Sequence, residues 1–178
     1  MGRKHTREQM LDGALDAVFD EGFSQLTFGR LAKRLGTNDR TVVYYFPTKD
    51  DLITEVLHTI GARLMEALAA AFVGPADDHL ALARAAWPAL SRTDLDPLFR
   101  VYFEAIGLAT AGREPFASLA PQLTTAWLDW LATFFPGTPE QRQAEAEATV
   151  ALVDGVLLLR QLAGAAAAER AAAAIGLV

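Results

Sequence analysis

The stretch that decides the fold is Phe28-Gly29-Arg30-Leu31-Ala32-Lys33-Arg34-Leu35-Gly36-Thr37-Asn38-Asp39-Arg40-Thr41-Val42-Val43-Tyr44-Tyr45. Ala32 is the small residue that lets two helices cross closely, and Gly36 suits the tight turn between them. Leu31, Leu35, Val42 and Tyr45 have the spacing of side chains that point inward from both helices. Two helices joined by such a turn make a helix-turn-helix, whose second helix is shaped to lie in a DNA major groove. Many helical hairpins contain an Ala and a Gly, so this pattern alone is moderately specific.

Working outward, the flanking sequence is helical throughout. Thr6-Arg7-Glu8-Gln9 is a capping box, in which Thr6 caps and Gln9 reaches back. Leu11, Ala14, Leu15, Val18 and Phe19 then recur on one helical face, and Gly22 suits the left-handed position after a helix. Thr27 caps a short second helix stopped by Gly36; a third starts near Asn38 and ends before Pro47. A long fourth helix is expected over about 49–72, broken by Gly74-Pro75. Further helices are expected near 77–91, 95–110, 115–135, 138–163 and 165–175; Thr138-Pro139-Glu140-Gln141 opens the penultimate one with a cap, a first-turn proline and a box Gln. No alternating polar–apolar stretch is long enough for a strand. The expectation is an all-α protein of about nine helices. Its seam near residue 48 would divide a head (1–48) from a body (49–178), connected by the fourth helix.

The 178 residues are 52% apolar and 21% charged, enough to bury a core and too apolar for intrinsic disorder. With no cysteine there is no disulfide framework and no thiol nucleophile, and no metal or cofactor is expected. Met1–Arg7 is basic but runs into a charged segment, so it does not read as a signal peptide. Leu157–Ala174, the nearest approach to a membrane span, is interrupted by Arg160, Glu169 and Arg170; a cytoplasmic protein is expected. The net charge of −6 is unevenly spread. Residues 1–49 carry eight Lys/Arg against six Asp/Glu, and residues 50–178 carry eight against sixteen, so a basic head precedes an acidic body.

Leu26-Thr27, Leu31-Ala32 through Gly36, and Thr41-Val42-Val43-Tyr44-Tyr45-Phe46-Pro47-Thr48-Lys49-Asp50-Asp51-Leu52 closely resemble the DNA-binding head of the TetR family of bacterial transcriptional regulators. The resemblance covers roughly residues 6–57. Its aromatic-Phe-x-x-Lys-x-x-Leu segment is the more specific part, and the nine-helix plan is also similar. Thr27, at a helix N-terminus, can offer its hydroxyl and the free N–H groups to a phosphate. Lys49 stands in the first turn of its helix, where the dipole disfavours a cation unless an anion sits opposite. The resemblance implies the same phosphate role for Lys49, and one for Tyr45, which otherwise reads as a core tyrosine beneath the hairpin. Base reading is expected from Asn38, Asp39, Arg40, Thr41 and Tyr44; Arg40 suits guanine and the Thr41 methyl suits thymine. Asp39 would accept from a cytosine or orient Arg40. Arg3, Lys4 and Arg7 read as a basic arm toward an adjacent groove, or as a solvated tail. Two departures bear on the operator sequence: Val43 stands where the family often carries a tyrosine, and Gly29 where it is often polar or basic.

In the body, the aromatic cluster Trp87, Phe99, Tyr102, Phe103, Phe116, Trp127, Trp130, Phe134 and Phe135 reads as suited to a cavity for a small apolar or aromatic effector, beside the alternative of ordinary core. Arg100, Tyr102, Glu104 and Arg113 are candidate orienting groups. Ala148, Leu152, Gly155, Leu159 and Leu162 form a stripe on a helix that is apolar on other sides too, which predicts cover by a second subunit. The resemblance implies the same homodimer through the last two helices. His5, His58 and His79 are scattered and expected at the surface, as are Asp77-Asp78, Asp94/Asp96 and Glu145/Glu147. The expected function is that of a sequence-specific DNA-binding regulator, a ligand-released repressor on a palindromic operator, and not an enzyme. The alternative is a helical small-molecule carrier or enzyme without DNA binding.

Overall fold

A computed structural model describes residues 6–72 and 74–178; Arg3, Lys4 and His5 lie outside the described residues. Among these the protein is all-α, with nine α-helices, two short 3₁₀ turns and no strand. The helices are α1 (Arg7–Glu21), α2 (Phe28–Leu35), α3 (Asp39–Tyr45), α4 (Lys49–Ala69), α5 (His79–Leu90), α6 (Asp96–Thr110), α7 (Phe116–Ala132), α8 (Pro139–Ala163) and α9 (Ala165–Ala174). The 3₁₀ turns are Phe23–Gln25 and Thr93–Leu95.

Local side chains start most of these helices. Thr6 and Gln9 close a reciprocal box on α1, with Gln9 N–H donating to Thr6 Oγ1 at 3.2 Å and Thr6 N–H to Gln9 Oε1 at 3.1 Å. Thr138 and Gln141 repeat the arrangement on α8. Thr48 and Asp51 do so on α4, where Asp51 N–H donates to Thr48 Oγ1 at 3.0 Å and Thr48 N–H to Asp51 Oδ2 at 2.9 Å. Each pair satisfies two amides that no preceding helical carbonyl can reach.

The chain falls into two compact units. The first comprises residues 1–61 and 101–120, the second residues 62–100 and 121–178. α4, α6 and α7 each contribute residues to both. The first unit is centred on Met10, Leu15, Val18, Phe23, Leu31, Val42 and Phe46, all 1% exposed or less. Burying side chains of this size contributes about 1.5–3 kcal/mol each, which holds the short helices α2 and α3 in place. In the second unit α8 packs against α5 and α9. Leu82, Trp87, Val156, Leu157, Ala168 and Ala172 are buried there.

Two helices are shorter than their periodicity suggests. α4 stops at Ala69, and Ala71 N–H and Phe72 N–H bond back to Leu68 and Ala69 carbonyls in a tighter turn. α7 stops at Ala132; Thr133 and Phe134 turn the same way, and the Phe134 carbonyl accepts from Ala76 N–H at 2.8 Å. The apolar residues past each end are therefore used to close a loop within the second unit. Among the described residues, no helix is long and apolar enough to cross a membrane.

Candidate nucleic-acid interface

The hairpin is built by its own turn chemistry. Thr27 caps α2, its hydroxyl accepting from Arg30 N–H at 3.2 Å. Gly36 ends α2 in the left-handed conformation (φ 65°, ψ 34°), and Thr37 N–H returns to the Ala32 carbonyl at 2.9 Å. Glycine takes that conformation without the Cβ penalty other residues meet. Asn38 then caps α3, Oδ1 accepting from Thr41 N–H at 3.2 Å. Leu31, Ala32 and Val42 are buried between the helices, while Leu35 and Tyr45 are half-buried.

This packing leaves one side of α3 facing outward. Asn38, Asp39 and Arg40 are exposed, Thr41 is half-buried, Val43 is 42% exposed and Tyr44 79%. Tyr44 and Tyr45 stand edge to face, with centroids 4.9 Å apart. Arg40 has no ion pair with any described residue, and neither does Lys49, which is exposed in the first turn of α4. Asp39 lies beside Gly29, where an added Cβ would meet Asp39 Oδ2 at 3.7 Å, an ordinary contact. Thr27 is exposed at the N-terminus of α2.

The other basic residues of α2 are turned elsewhere. Arg30 donates to Glu21 Oε2 at 3.2 Å and to Gln25, and Arg34 donates to Asp20. The Asp20 carboxylate raises the pKa of the Arg34 guanidinium further. Glu21, Gln25, Arg30 and Arg34 line a groove of about 400 Å³ with Ala17, Leu26, Leu31 and Lys33 on the α1 side of the hairpin. Arg7 belongs to α1 and not to a basic arm: it pairs with Glu55 at 2.8 Å and lies over the Phe46 ring, 5.1 Å from its centroid.

The aromatic residues of the body are divided between the two units. In the first, Tyr102 and Phe103 are half-buried with centroids 5.2 Å apart. In the second, Trp87 and Phe99 are each 3% exposed, and Arg100 is exposed. Trp127 and Trp130 stand 5.2 Å apart, and Trp130 also meets Phe72 and Phe134 at 5.7 and 5.2 Å. A hollow of about 300 Å³ is lined by Asp77, Phe135, Pro136, Gly137, Gln141 and Glu145, of which Phe135 belongs to the aromatic cluster read as a cavity wall. On α8, Gly155 and Leu162 are exposed, and Ala148, Leu152 and Leu159 are half-buried.

Several polar residues taken for solvated surface have specific partners. His79 is half-buried; its N–H and Nδ1 both meet Glu145 Oε2, at 2.7 and 2.8 Å. Asp96 holds the buried Arg160, and Glu104, expected to orient a ligand, accepts from Phe23 and Ser24 N–H. His58 is exposed.

Known proteins resemble this chain in its head by sequence and over its length by fold. Residues 10–56 match the family model described as "Bacterial regulatory proteins, tetR family". The HTH-type transcriptional regulator BetI of Klebsiella pneumoniae (strain 342) is 29% identical over 62 residues, 35% of this chain and 32% of that protein. The chain thus matches about a third of the length of that curated relative. A transcriptional regulator from Rhodococcus sp. Rha1 superposes with a TM-score of 0.74 at 22% identity, over 94% of this chain and 91% of that one. A putative transcriptional regulator from Saccharomonospora viridis, solved in complex with choline, gives 0.74 at 18% identity, over 96% and 93%. The head, residues 10–56, is thus similar to the tetR family of bacterial regulatory proteins, and the chain over most of its length shares the fold of solved transcriptional regulators.

Proposed function

We propose that the protein is a homodimeric, ligand-released repressor that reads a palindromic operator with α3. Residues 1–48 form the DNA-binding head, and residues 49–178 bind ligand and dimerise. The observation that carries the reading is the open side of α3, where Arg40, without an ion pair to any described residue, and the 79%-exposed Tyr44 stand beside half-buried Thr41. Asn38, Asp39, Arg40, Thr41 and Tyr44 read base edges, and Thr27, Tyr45 and Lys49 hold phosphates. Arg3 and Lys4, outside the described residues, reach for an adjacent groove or phosphate. DNA as the partner puts the protein's work in the cytoplasm, and no step calls for enzyme chemistry.

Dimerisation through α8 and α9 is supported by the exposed Leu162, Leu158 and Gly155, which would otherwise leave an apolar strip in water. A twofold pair places two reading helices about 34 Å apart, one DNA turn. The effector is a small apolar or aromatic molecule. It is recognised by the body aromatics Trp87, Phe99, Arg100, Tyr102, Phe103, Trp127 and Trp130, with release relayed along α4. The choline in the Saccharomonospora neighbour supports a small organic ligand.

Selection of random duplexes by the purified protein, sequenced at two salt concentrations, tests this. An inverted repeat with salt-sensitive binding is the expected result. Absence of an enriched motif, with retention indifferent to salt, overturns the DNA reading and leaves a helical ligand carrier.

A further inference from the structure

The corner between α1 and α2 is closed by residues that lie far along the chain. Phe23 N–H donates to Glu104 Oε2 at 3.0 Å, and Ser24 N–H to Glu104 Oε1 at 3.2 Å. These amides open the 3₁₀ turn Phe23–Gln25 and have no helical carbonyl to reach. The position before them is Gly22, which has no side chain with which to cap the turn. The carboxylate of α6 takes that place, and hydrogen bonds to an ionised acceptor are about twice as strong as neutral ones. Gly22 is doubly required: its φ is +85°, and an added Cβ would sit 2.7 Å from Glu104 Oε2. The Phe23 ring, 1% exposed, meets Phe116 edge to face with centroids 5.0 Å apart.

We infer that Glu104 is a positioning residue for DNA reading, and this rests on the reading of α3 given above. By fixing the Phe23–Gln25 turn, it sets the direction in which α2 leaves α1, three residues before Thr27 caps that helix. The hairpin's contacts with phosphates and bases tolerate errors of only about 0.5 Å and 10–20°. A loosened corner therefore weakens base reading before it weakens simple charge attraction.

The test compares full-length Glu104→Ala and Glu104→Gln with the wild type. Thr138→Ala, which removes a cap on α8, is the control for loss of a helix-capping hydrogen bond alone. Three quantities are read: hydrogen exchange of the Phe23 and Ser24 amides, affinity for the wild type's selected duplex, and affinity for a random duplex. Glu104→Ala is expected to lower amide protection and selected-duplex affinity about tenfold each, the scale of one lost base contact. Random-duplex affinity stays within about twofold, because counterion release supplies it. Glu104→Gln, which keeps one acceptor oxygen, is intermediate and carries the test if the alanine variant does not fold; Thr138→Ala moves none of the three. Unchanged amide protection in the Glu104 variants overturns the inference. So does lost protection with full selected-duplex affinity, or an equal fall on both duplexes. A wild type that selects no duplex removes the DNA reading itself, a result distinct from all of these.

Discussion

Arg160 of α8 is held by Asp96 in the first turn of α6, with Nε 2.6 Å from Oδ1 and a terminal nitrogen 3.2 Å from Oδ2. The Arg160 side chain is 3% exposed and that of Asp96 36%, so the two partners face different costs if parted. The carboxylate also pushes the guanidinium's pKa up. Asp96→Ala leaves a buried cation with Thr93 Oγ1 at 3.4 Å and the more distant charge of Glu169, and is expected to cost about 3 kcal/mol. Arg160→Met leaves a carboxylate that water can still reach, and is expected to cost about 1 kcal/mol. Urea denaturation midpoints of the two variants check the asymmetry; equal losses would mean that Asp96, not Arg160, sets the energy.

Thr27 separates capping from DNA contact. Thr27→Ala removes the acceptor for Arg30 N–H and is expected to cost about 1 kcal/mol. Thr27→Asp keeps the cap and the fold's stability, but puts a negative charge where a phosphate belongs. The account expects Thr27→Asp to melt like the wild type and bind DNA at least as poorly as Thr27→Ala. A Thr27→Asp protein that binds DNA normally would remove Thr27 from the phosphate contacts.

Lys49 stands in the first turn of α4 beside Asp50 and Asp51, without an ion pair to any described residue. Lys49→Gln should leave stability within about 0.5 kcal/mol, since a lysine gains nothing from the helix dipole there. Its effect belongs to DNA. Affinity falls, and the slope of log affinity against log salt falls by about 0.9 per lost phosphate contact. Titrations at several salt concentrations give both numbers, and an unchanged slope contradicts the assignment.

The head was largely legible because its determinants are local. Thr6, Thr27, Gly36 and Asn38 act within three to five residues of their own positions, so a short window of sequence contains both partners. The body was less so. His79 with Glu145, Arg160 with Asp96 and Glu104 with Phe23 are separated by 66, 64 and 81 residues. In a local window Glu145 and Asp96 look like solvated helix surface, and Glu104 like a candidate for orienting a ligand. Arg7 reads equally well as a basic tail until α4 brings Glu55 beside it. The same limit separates aromatic residues that share a stretch of sequence, such as Tyr102 and Trp127, into different compact units.

Glu140 gives a pH dependence with a definite sign. Its own backbone N–H and the Thr138 hydroxyl hold the Glu140 carboxyl below the usual range. Because the folded value is the lower one, its contribution to stability is complete above the ordinary carboxylate range. That contribution is lost as pH falls through the folded value. The difference in stability between wild type and Glu140→Gln should therefore shrink toward zero on acidification. A constant offset across acid and neutral pH would assign the effect to something other than ionisation.

The most direct test of the central claim, that the open side of α3 reads base pairs, is duplex selection repeated with Arg40→Ala. The expected result is an inverted repeat that loses its preference at one base pair, at symmetric positions in both half-sites. That contact costs about 1–3 kcal/mol, with the salt slope nearly kept. Recovery of the wild-type motif unchanged, with affinity lowered evenly across all sequences, would contradict it and reduce Arg40 to a phosphate contact.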